Sequence, residues 1–386
     1  MDITIHPKKL AGNVTAIPSK SQAHRMLICA AFADAPTTLI CSDTNRDIEA
    51  TADCLRALGA TIHRTDNGYQ ITPAKVVPPN ARLNCCESGS TLRFMLPVIG
   101  ALGVTATIQM EGRLPQRPLS PLGEEMERMG CSLSRPTQNS ILCQGKLRPG
   151  TYNIAGNVSS QFITGLLLAF PLMDSASTLN ITGNIESAPY IDMTRQVLEL
   201  FPNRHSPGTL TVEGDWSNGA FFLAAQALGN NICVDNLNSN SKQGDRAAAF
   251  LLQKLKENRT ISAADIPDLV PILSVVAAAN NGAKFTDIQR LRLKESDRVA
   301  SVIAMLESLG GKAEADDNTL TVCGIGLTGG IVETFNDHRI AMSAAIAATV
   351  CKEDVTILGA ECVNKSYPKF FEEYSRLGGN YEQHLR

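Results

Sequence analysis

The stretch PSKSQAHR, residues 18–25, crowds a lysine, two serines, a glutamine, a histidine and an arginine against the apolar run MLICAAFA. Pro18 with Ser19 or Ser21 reads as a helix start, and Met26 onward as the buried body of that helix. Ser21 and Arg25 stand four residues apart and so share a face at the helix entrance. A helix N-terminus already offers unpaired N–H groups and a partial positive charge. Lys20, Ser21 and Arg25 placed there describe an anion site.

Comparable polar clusters recur down the chain, always in one of two places. Helix entrances carry Gly89, Ser90 and Arg93; Ser159, Ser160 and Gln161; Asp268; and Asn336, Asp337, His338 and Arg339. Loops ahead of a second helix carry Arg113 and Arg117 in GRLPQRP, Ser187 and Tyr190 in ESAPYID, Lys294, Glu295 and Arg298 in LKESDR, and Lys365 in VNKSYP. Taken singly, each cluster reads as an ordinary cap or surface pair. Their return to the same two slots is what capping leaves unexplained. The set is strongly cationic yet holds two carboxylates, Asp268 and Glu295. Cations neutralise phosphate and carboxylate groups that would repel one another, and a carboxylate near a lysine can take or give a proton. That combination suits two anionic substrates and a proton transfer between them.

The elements that must position these groups repeat as well. Six segments open with a polar cluster and continue as a helix of small apolar residues: SQAHRMLICAAFA, SGSTLRFMLPVIGAL, SSQFITGLLLAF, SNGAFFLAAQAL, PDLVPILSVVAAA and DHRIAMSAAIAA. Strand-like runs follow, among them TTLICS, VTATIQM, STLNITG and DVTILG. Second helices end at LRALG, MERMG, LESLG and YSRLG, each stopped by glycine, with VLELFPNR and LLQKLKEN filling the two middle slots through Pro202 and Asn258. The result is an α/β chain of six similar units. Helices that are apolar nearly all round belong inside a domain, with the sheets outside. At 386 residues two domains are expected, with the seam near NRHSPGTLTVEGD.

Composition narrows the partners. A net charge of −3 gives no global field toward nucleic acid or membranes, and 5% aromatic residues with one tryptophan argue against a base-stacking surface. No apolar run is long enough to span a membrane, and the opening MDITIHPKKLAG has no signal-like apolar core. Eleven scattered cysteines, none in C-x-x-C spacing, point to reduced thiols and a cytoplasmic protein. CGIGLTGG has the spacing of a dinucleotide loop, but IVETF follows where a helix is required, so it reads as a turn between strands. His24 and His338 have no second ligand at metal spacing, and no metal site is expected.

In the order PSKSQAHR, SGSTLR, GRLPQRP, VSSQF, LKESDR, NDHR and NKSYP, the chain resembles the 5-enolpyruvylshikimate-3-phosphate synthases, and the likeness covers essentially its whole length. The resemblance implies a two-domain enolpyruvyl-transferase-like α/β fold, each domain made of three similar units with buried helices and outer sheets. Residues 19–212 would form one domain and residues 1–18 with 213–386 the other, the first strand pairing with the later half. It implies transfer of an enolpyruvyl group from phosphoenolpyruvate to shikimate 3-phosphate, without cofactor, by a cytoplasmic monomer.

The family's roles carry over position by position. Ser21, Arg25 and Tyr190 would hold the shikimate carboxylate; Ser159, Ser160, Ser187 and Lys294 its phosphate; Gln161 would pack on the ring. Lys20, Gly89, Arg93, Arg113, Arg298, Arg339 and Lys365, with Gln161 beside them, would form the phosphoenolpyruvate site. Asp268 would accept the proton of the 5-hydroxyl, Glu295 with Lys20 would protonate the methylene, and His338 would orient Glu295. Glyphosate competes with phosphoenolpyruvate in this family, where space for it depends on a small residue at the Gly89 position. Glu87, Ser90 and Phe94 depart from the common Asn, Thr and Pro. The sister enzyme acting on UDP-N-acetylglucosamine carries a cysteine in the loop matched by GRLPQRPLSP, which has none. A noncatalytic phosphometabolite-binding protein would be expected to lose Asp268 or Glu295.

Overall fold

The structure is a computed structural model that describes residues 1–255, 257 and 259–384. Asn258, expected to close the helix of LLQKLKEN, lies outside the described residues. The chain divides into two compact units, residues 18–213 and residues 1–17 with 214–386.

In the unit of residues 18–213 the helices are α1 (Lys20–Ala31), α2 (Arg46–Ala57), α3 (Gly89–Leu102), α4 (Leu122–Arg128), α5 (Ser160–Ala169) and α6 (Ala188–Glu199). The other unit holds α7 (Trp216–Ala227), α8 (Ala248–Lys254), α9 (Val270–Ala279), α10 (Arg298–Ser308), α11 (His338–Ala347) and α12 (Phe370–Arg376). The small apolar segments read from the sequence are α1, α3, α5, α7, α9 and α11. They are sunk into the two cores; every residue of α11 and all of α9 but the last are buried. Glycines stop α2, α4, α10 and α12, with Gly59, Gly130, Gly310 and Gly378 all at positive φ, where a side chain would strain the backbone.

Among the described residues, three sheets cover each core. The four-stranded ones share one plan: a parallel pair, then two antiparallel steps. Thr209–Thr211 runs parallel to Thr37–Ile40, followed by Gly68–Thr72 and Thr61–Thr65. Asn80–Asn84 and Thr105–Gln109 are followed by Ser140–Gly145 and Cys131–Thr137. In the other unit Arg259–Ser262 and Ala283–Thr286 are followed by Thr319–Cys323 and Lys312–Ala315. The strand Asp2–His6 is inserted antiparallel between Val355–Leu358 and Asn380–His384, and Gly330–Glu333 completes that sheet.

The six units are less alike than their helices suggest. Thr151–Ala155 with Thr178–Thr182, and Ala11–Thr15 with Asn231–Asp235, are parallel pairs without a hairpin. The chain beyond α6 makes a 3-10 turn, Pro202–Arg204, and then supplies a single strand, which closes the sheet of the first unit instead of extending its own. Beyond α8 the strand Arg259–Ser262 likewise joins the next sheet. Periodicity in the sequence finds the helices but not which sheet a lone edge strand joins.

Candidate active site

In the unit of residues 18–213, three buried helices begin at serine caps. Ser19 accepts from the amide of Gln22, Ser88 from that of Thr91, and Ser159 from that of Gln161, so α1, α3 and α5 each start with an ordered, anion-ready turn. Lys20 opens α1 and its Nζ lies 2.9 Å from Oδ2 of Asp47 on α2. Arg25, one turn on, is 2% exposed. Its Nε donates to Thr194 Oγ1 at 2.8 Å, its Nη2 to Thr164 Oγ1 and the Tyr190 carbonyl, both at 3.1 Å, and its Nη1 to the Ser21 carbonyl at 2.5 Å. Burial pushes the guanidinium down to about 10, with the nearby Tyr190 opposing the shift. Ser21 and Tyr190 thus meet Arg25 through their backbone carbonyls.

Gln161 bridges α5 to α3: its Oε1 accepts from Arg93 Nη1 at 2.6 Å and its Nε2 donates to Ser90 Oγ at 2.9 Å. Around Gly89 the space is already taken by guanidinium groups. A Cβ there would stand 2.6 Å from Arg117 Nη1 and 2.9 Å from Arg93 Nη1. Arg113 instead is exposed, at the start of the short turn Leu114–Gln116. Ser160 is buried in the first turn of α5, and Ser187 is buried at the start of α6 with φ +55.

The departures from the family pattern have local partners. Ser90 is the acceptor for Gln161, and the Phe94 ring lies 5.1 Å beneath the Arg25 guanidinium. Glu87 packs over Gly112, whose φ of +54 and lack of a Cβ leave room for the carboxylate.

In the other unit, Arg298 is the hub. Though 1% exposed, it meets three carboxylates: Nε donates to Asp337 Oδ2 at 2.8 Å, Nη1 to Asp268 Oδ1 at 2.5 Å and Nη2 to Glu295 Oε2 at 2.6 Å. Asp337 also caps α11 through the Arg339 amide and accepts from Ser296 Oγ at 3.0 Å, which fixes its angle to Arg298. Asp268, at the entrance to α9, also meets Lys294 Nζ at 3.2 Å and Arg339 Nη2 at 3.3 Å, and its carbonyl accepts from Arg339 Nη1 at 3.0 Å. Burial would raise the Asp268 carboxyl, but Arg339, Lys294 and Arg298 outweigh it and hold the group well below the usual carboxylate range. Burial pushes Lys294 down to about 8 despite Asp268. Lys365 Nζ donates to the Asn336 carbonyl at 2.8 Å, and buried His338 has its Nδ1 4.0 Å from Asp337.

Two partly exposed carboxylates, Asp268 and Glu295, are therefore held on one buried guanidinium among further cations. Such a cluster can bind a polyanion and exchange protons with it. Sequence reasoning missed Asp47, which in NRDIE looks like any acid at a helix start. It also assigned no substrate to Arg117, whose side chain lies beside Gly89.

The fold is that of the enolpyruvyl transferases. EPSP synthase from Acinetobacter baumannii matches with a TM-score of 0.80 over 99% of this chain and all of its own, at 21% identity. The enolpyruvyl transferase NikO from Streptomyces tendae matches with a TM-score of 0.76 over 100% of this chain and 99% of its own, at 17% identity. A profile described as EPSP synthase (3-phosphoshikimate 1-carboxyvinyltransferase) covers residues 5–265 and 253–374. The 3-phosphoshikimate 1-carboxyvinyltransferases of Clostridium acetobutylicum and Clostridium perfringens are 38% and 36% identical, each over 98% of this chain and 97% and 98% of their own. The chain belongs to the EPSP synthase family. Among the described residues no helix is long and apolar enough to cross a membrane.

Proposed function

We propose that this chain transfers the enolpyruvyl group of phosphoenolpyruvate to the 5-hydroxyl of shikimate 3-phosphate and releases phosphate, in the route to chorismate. The observation that carries the mechanism is the Arg298 hub, which holds Asp268 and Glu295 on one guanidinium among cations and, with Arg339 and Lys294, keeps Asp268 ionised. Asp268 takes the hydroxyl proton as the oxygen attacks the enol carbon, and Glu295, with Lys20, protonates the methylene. The tetrahedral adduct keeps its phosphate until Glu295, with Lys20, takes a proton back from the methyl carbon, and phosphate then leaves as the double bond re-forms. Lys and Arg neutralise the phosphate and carboxylate groups of the two substrates and stabilise the charge on the departing phosphate.

Shikimate 3-phosphate is assigned to Lys20, Ser21, Arg25, Ser159, Ser160, Gln161, Ser187, Tyr190, Asp268 and Lys294, and phosphoenolpyruvate to Lys20, Gly89, Arg93, Arg113, Gln161, Arg298, Arg339 and Lys365. To the latter we add Arg117 beside Arg113, because its guanidinium adjoins Gly89 and Arg93. His338 is assigned to orienting Glu295. In this reading residues 19–212 form the shikimate 3-phosphate domain, while residues 1–18 with 213–386 form the domain carrying the catalytic carboxylates and much of the phosphoenolpyruvate site. The enzyme acts as a monomer in the cytoplasm. The loop GRLPQRPLSP has no cysteine, against a UDP-N-acetylglucosamine enolpyruvyl transferase, and both carboxylates are kept, against a mere binding protein. A coupled phosphate-release assay tests the proposal: release must need both substrates, and none from saturating amounts of the two defeats it.

A further inference from the structure

One buried acid in the unit that holds Asp268 has no part in the reaction described above. Asp245 lies in the 3-10 turn Gly244–Ala247 ahead of α8 and is 0% exposed. Its turn is docked on the start of α7: the Gln243 side chain accepts from the Trp216 amide at 3.0 Å and donates to the Gly214 carbonyl at 2.8 Å. In the first turn of α7, Ser217 donates its hydroxyl to Asp245 Oδ2. The same Ser217 oxygen accepts from Arg339 Nη2 at 2.8 Å, and that nitrogen also reaches Asp268 Oδ2 at 3.3 Å. Arg339 is itself 4% exposed and assigned to phosphoenolpyruvate. A continuous polar chain therefore runs Asp245, Ser217, Arg339, Asp268, drawn from α7, α11 and two loops.

We propose that Asp245 is a positioning residue for the transfer reaction: through Ser217 it sets the Arg339 guanidinium against Asp268, and its negative charge keeps Asp268 basic enough to accept a proton. The inference rests on the function proposed above. Both halves follow from the geometry. Arg339 has several conformers available, and a hydroxyl whose own proton is committed to Asp245 must present its lone pairs to the guanidinium. Arg339, Lys294 and Arg298 together hold Asp268 low, which makes it a poor base; the charge of Asp245, which interacts with Asp268, works in the opposite direction. The groups facing Asp245 are Asp268, Arg339 from α11, and Ser217 with Asp215 at the start of α7. Burial first, then Asp268, push its carboxyl up to about 6, against Arg339 and the Ser217 bond. It therefore loses its charge on mild acidification, while Asp268 is still ionised.

Two substitutions separate the two roles. Asp245→Asn keeps an acceptor for Ser217 and removes the charge. It should lower kcat about tenfold with little change in KM for phosphoenolpyruvate, and should abolish the acid limb near the Asp245 titration point. Ser217→Ala keeps the charge and cuts the link to Arg339. It should raise KM for phosphoenolpyruvate about tenfold, as expected for a loosened charge-assisted contact, and leave KM for shikimate 3-phosphate unchanged. Wild-type kcat and an unshifted acid limb in Asp245→Asn would overturn the proposal, as would equal losses toward both substrates accompanied by a lowered melting temperature in both variants. A wild-type chain that releases no phosphate from the two substrates would count against the enolpyruvyl reading instead. Infrared spectroscopy then decides the state of Asp245 without turnover: a protonated-carboxyl band that appears on mild acidification and is missing in Asp245→Asn supports the proposal. Its absence from the wild type overturns it.

Discussion

Arg298 Nη1 donates to Asp268 Oδ1 at 2.5 Å, from a guanidinium that simultaneously serves Glu295 and Asp337. The cation assigned to the substrate is thus engaged by the two carboxylates assigned to proton transfer. An entering carboxylate or phosphate must compete with them, and each carboxylate it displaces becomes more basic as it loses its cation. Binding and proton affinity are coupled in this arrangement.

Asp268→Asn and Glu295→Gln preserve size and polarity while removing the titrating group. Turnover should fall by about a hundredfold or more in each, the usual scale of general acid–base catalysis. Calorimetric binding of shikimate 3-phosphate should persist, because neither change deletes a cation. Near-normal turnover in both variants would rule out the proton-transfer roles.

Arg25 lies buried against Thr164, Thr194 and the Tyr190 carbonyl, whereas Arg93 and Arg117 flank Gly89. Arg25→Ala should therefore weaken shikimate 3-phosphate selectively, and Arg117→Ala and Lys365→Ala should weaken phosphoenolpyruvate. Each loss is worth about 1.5–3 kcal/mol for a charge-assisted bond. Arg113→Ala measured beside Arg117→Ala decides which arginine of GRLPQRP meets the substrate; the geometry predicts the larger effect at Arg117. Isothermal titrations with each ligand separate these outcomes, and equal weakening toward both ligands contradicts the assignment.

Much of this was readable from the sequence because it depends on local signals. Glycine stops, serine caps and apolar stretches of ten or more residues mark where each helix begins and ends, so the groups at helix entrances were found with their elements. What stayed hidden depends on contacts made through space. That Asp47 would take Lys20, and that Arg117 and not Arg113 would stand beside Gly89, depends on how α2 and a loop pack onto α1 and α3. Ser217 and Asp245 carry no local mark at all, being an ordinary serine in a first turn and an acid ahead of a short helix. The missing hairpins of the third and fourth units were likewise invisible, since the pairing of an edge strand is a long-range choice.

Gly89→Ala tests the crowding at the start of α3. Gly89 is helical, so alanine costs the backbone nothing and improves helix propensity by up to about 1 kcal/mol. Its methyl group, however, would press on Arg117 Nη1 and Arg93 Nη1 at 2.6 and 2.9 Å. Both are ends of flexible side chains, so the fold should hold while the anion site is reshaped. The wild type should be inhibited by glyphosate competitively with phosphoenolpyruvate. The variant should resist the inhibitor more than it loses affinity for the substrate, with an unchanged or higher melting temperature. Inhibition constants that match the wild type's would show that this position does not bound the inhibitor's space.

Lys294 gives the site a pH limit on the alkaline side. Burial lowers its ammonium to about 8, with Asp268 only partly compensating. A lysine with a lowered folded-state value is charged below that value and neutral above it, whereas the unfolded chain keeps its proton until about pH 10.4. Between those limits the unfolded state binds more protons, so folding stability from this group rises with pH. Phosphate affinity runs the other way, because the neutral amine no longer attracts a phosphate dianion. KM for shikimate 3-phosphate should therefore rise above about pH 8 while KM for phosphoenolpyruvate changes less. Lys294→Arg, which cannot deprotonate in this range, should flatten that rise at the cost of a weaker fit. The measurement is a pH series of both KM values for wild type and variant. A wild-type KM for shikimate 3-phosphate that stays flat well above that pH would remove Lys294 from the phosphate site.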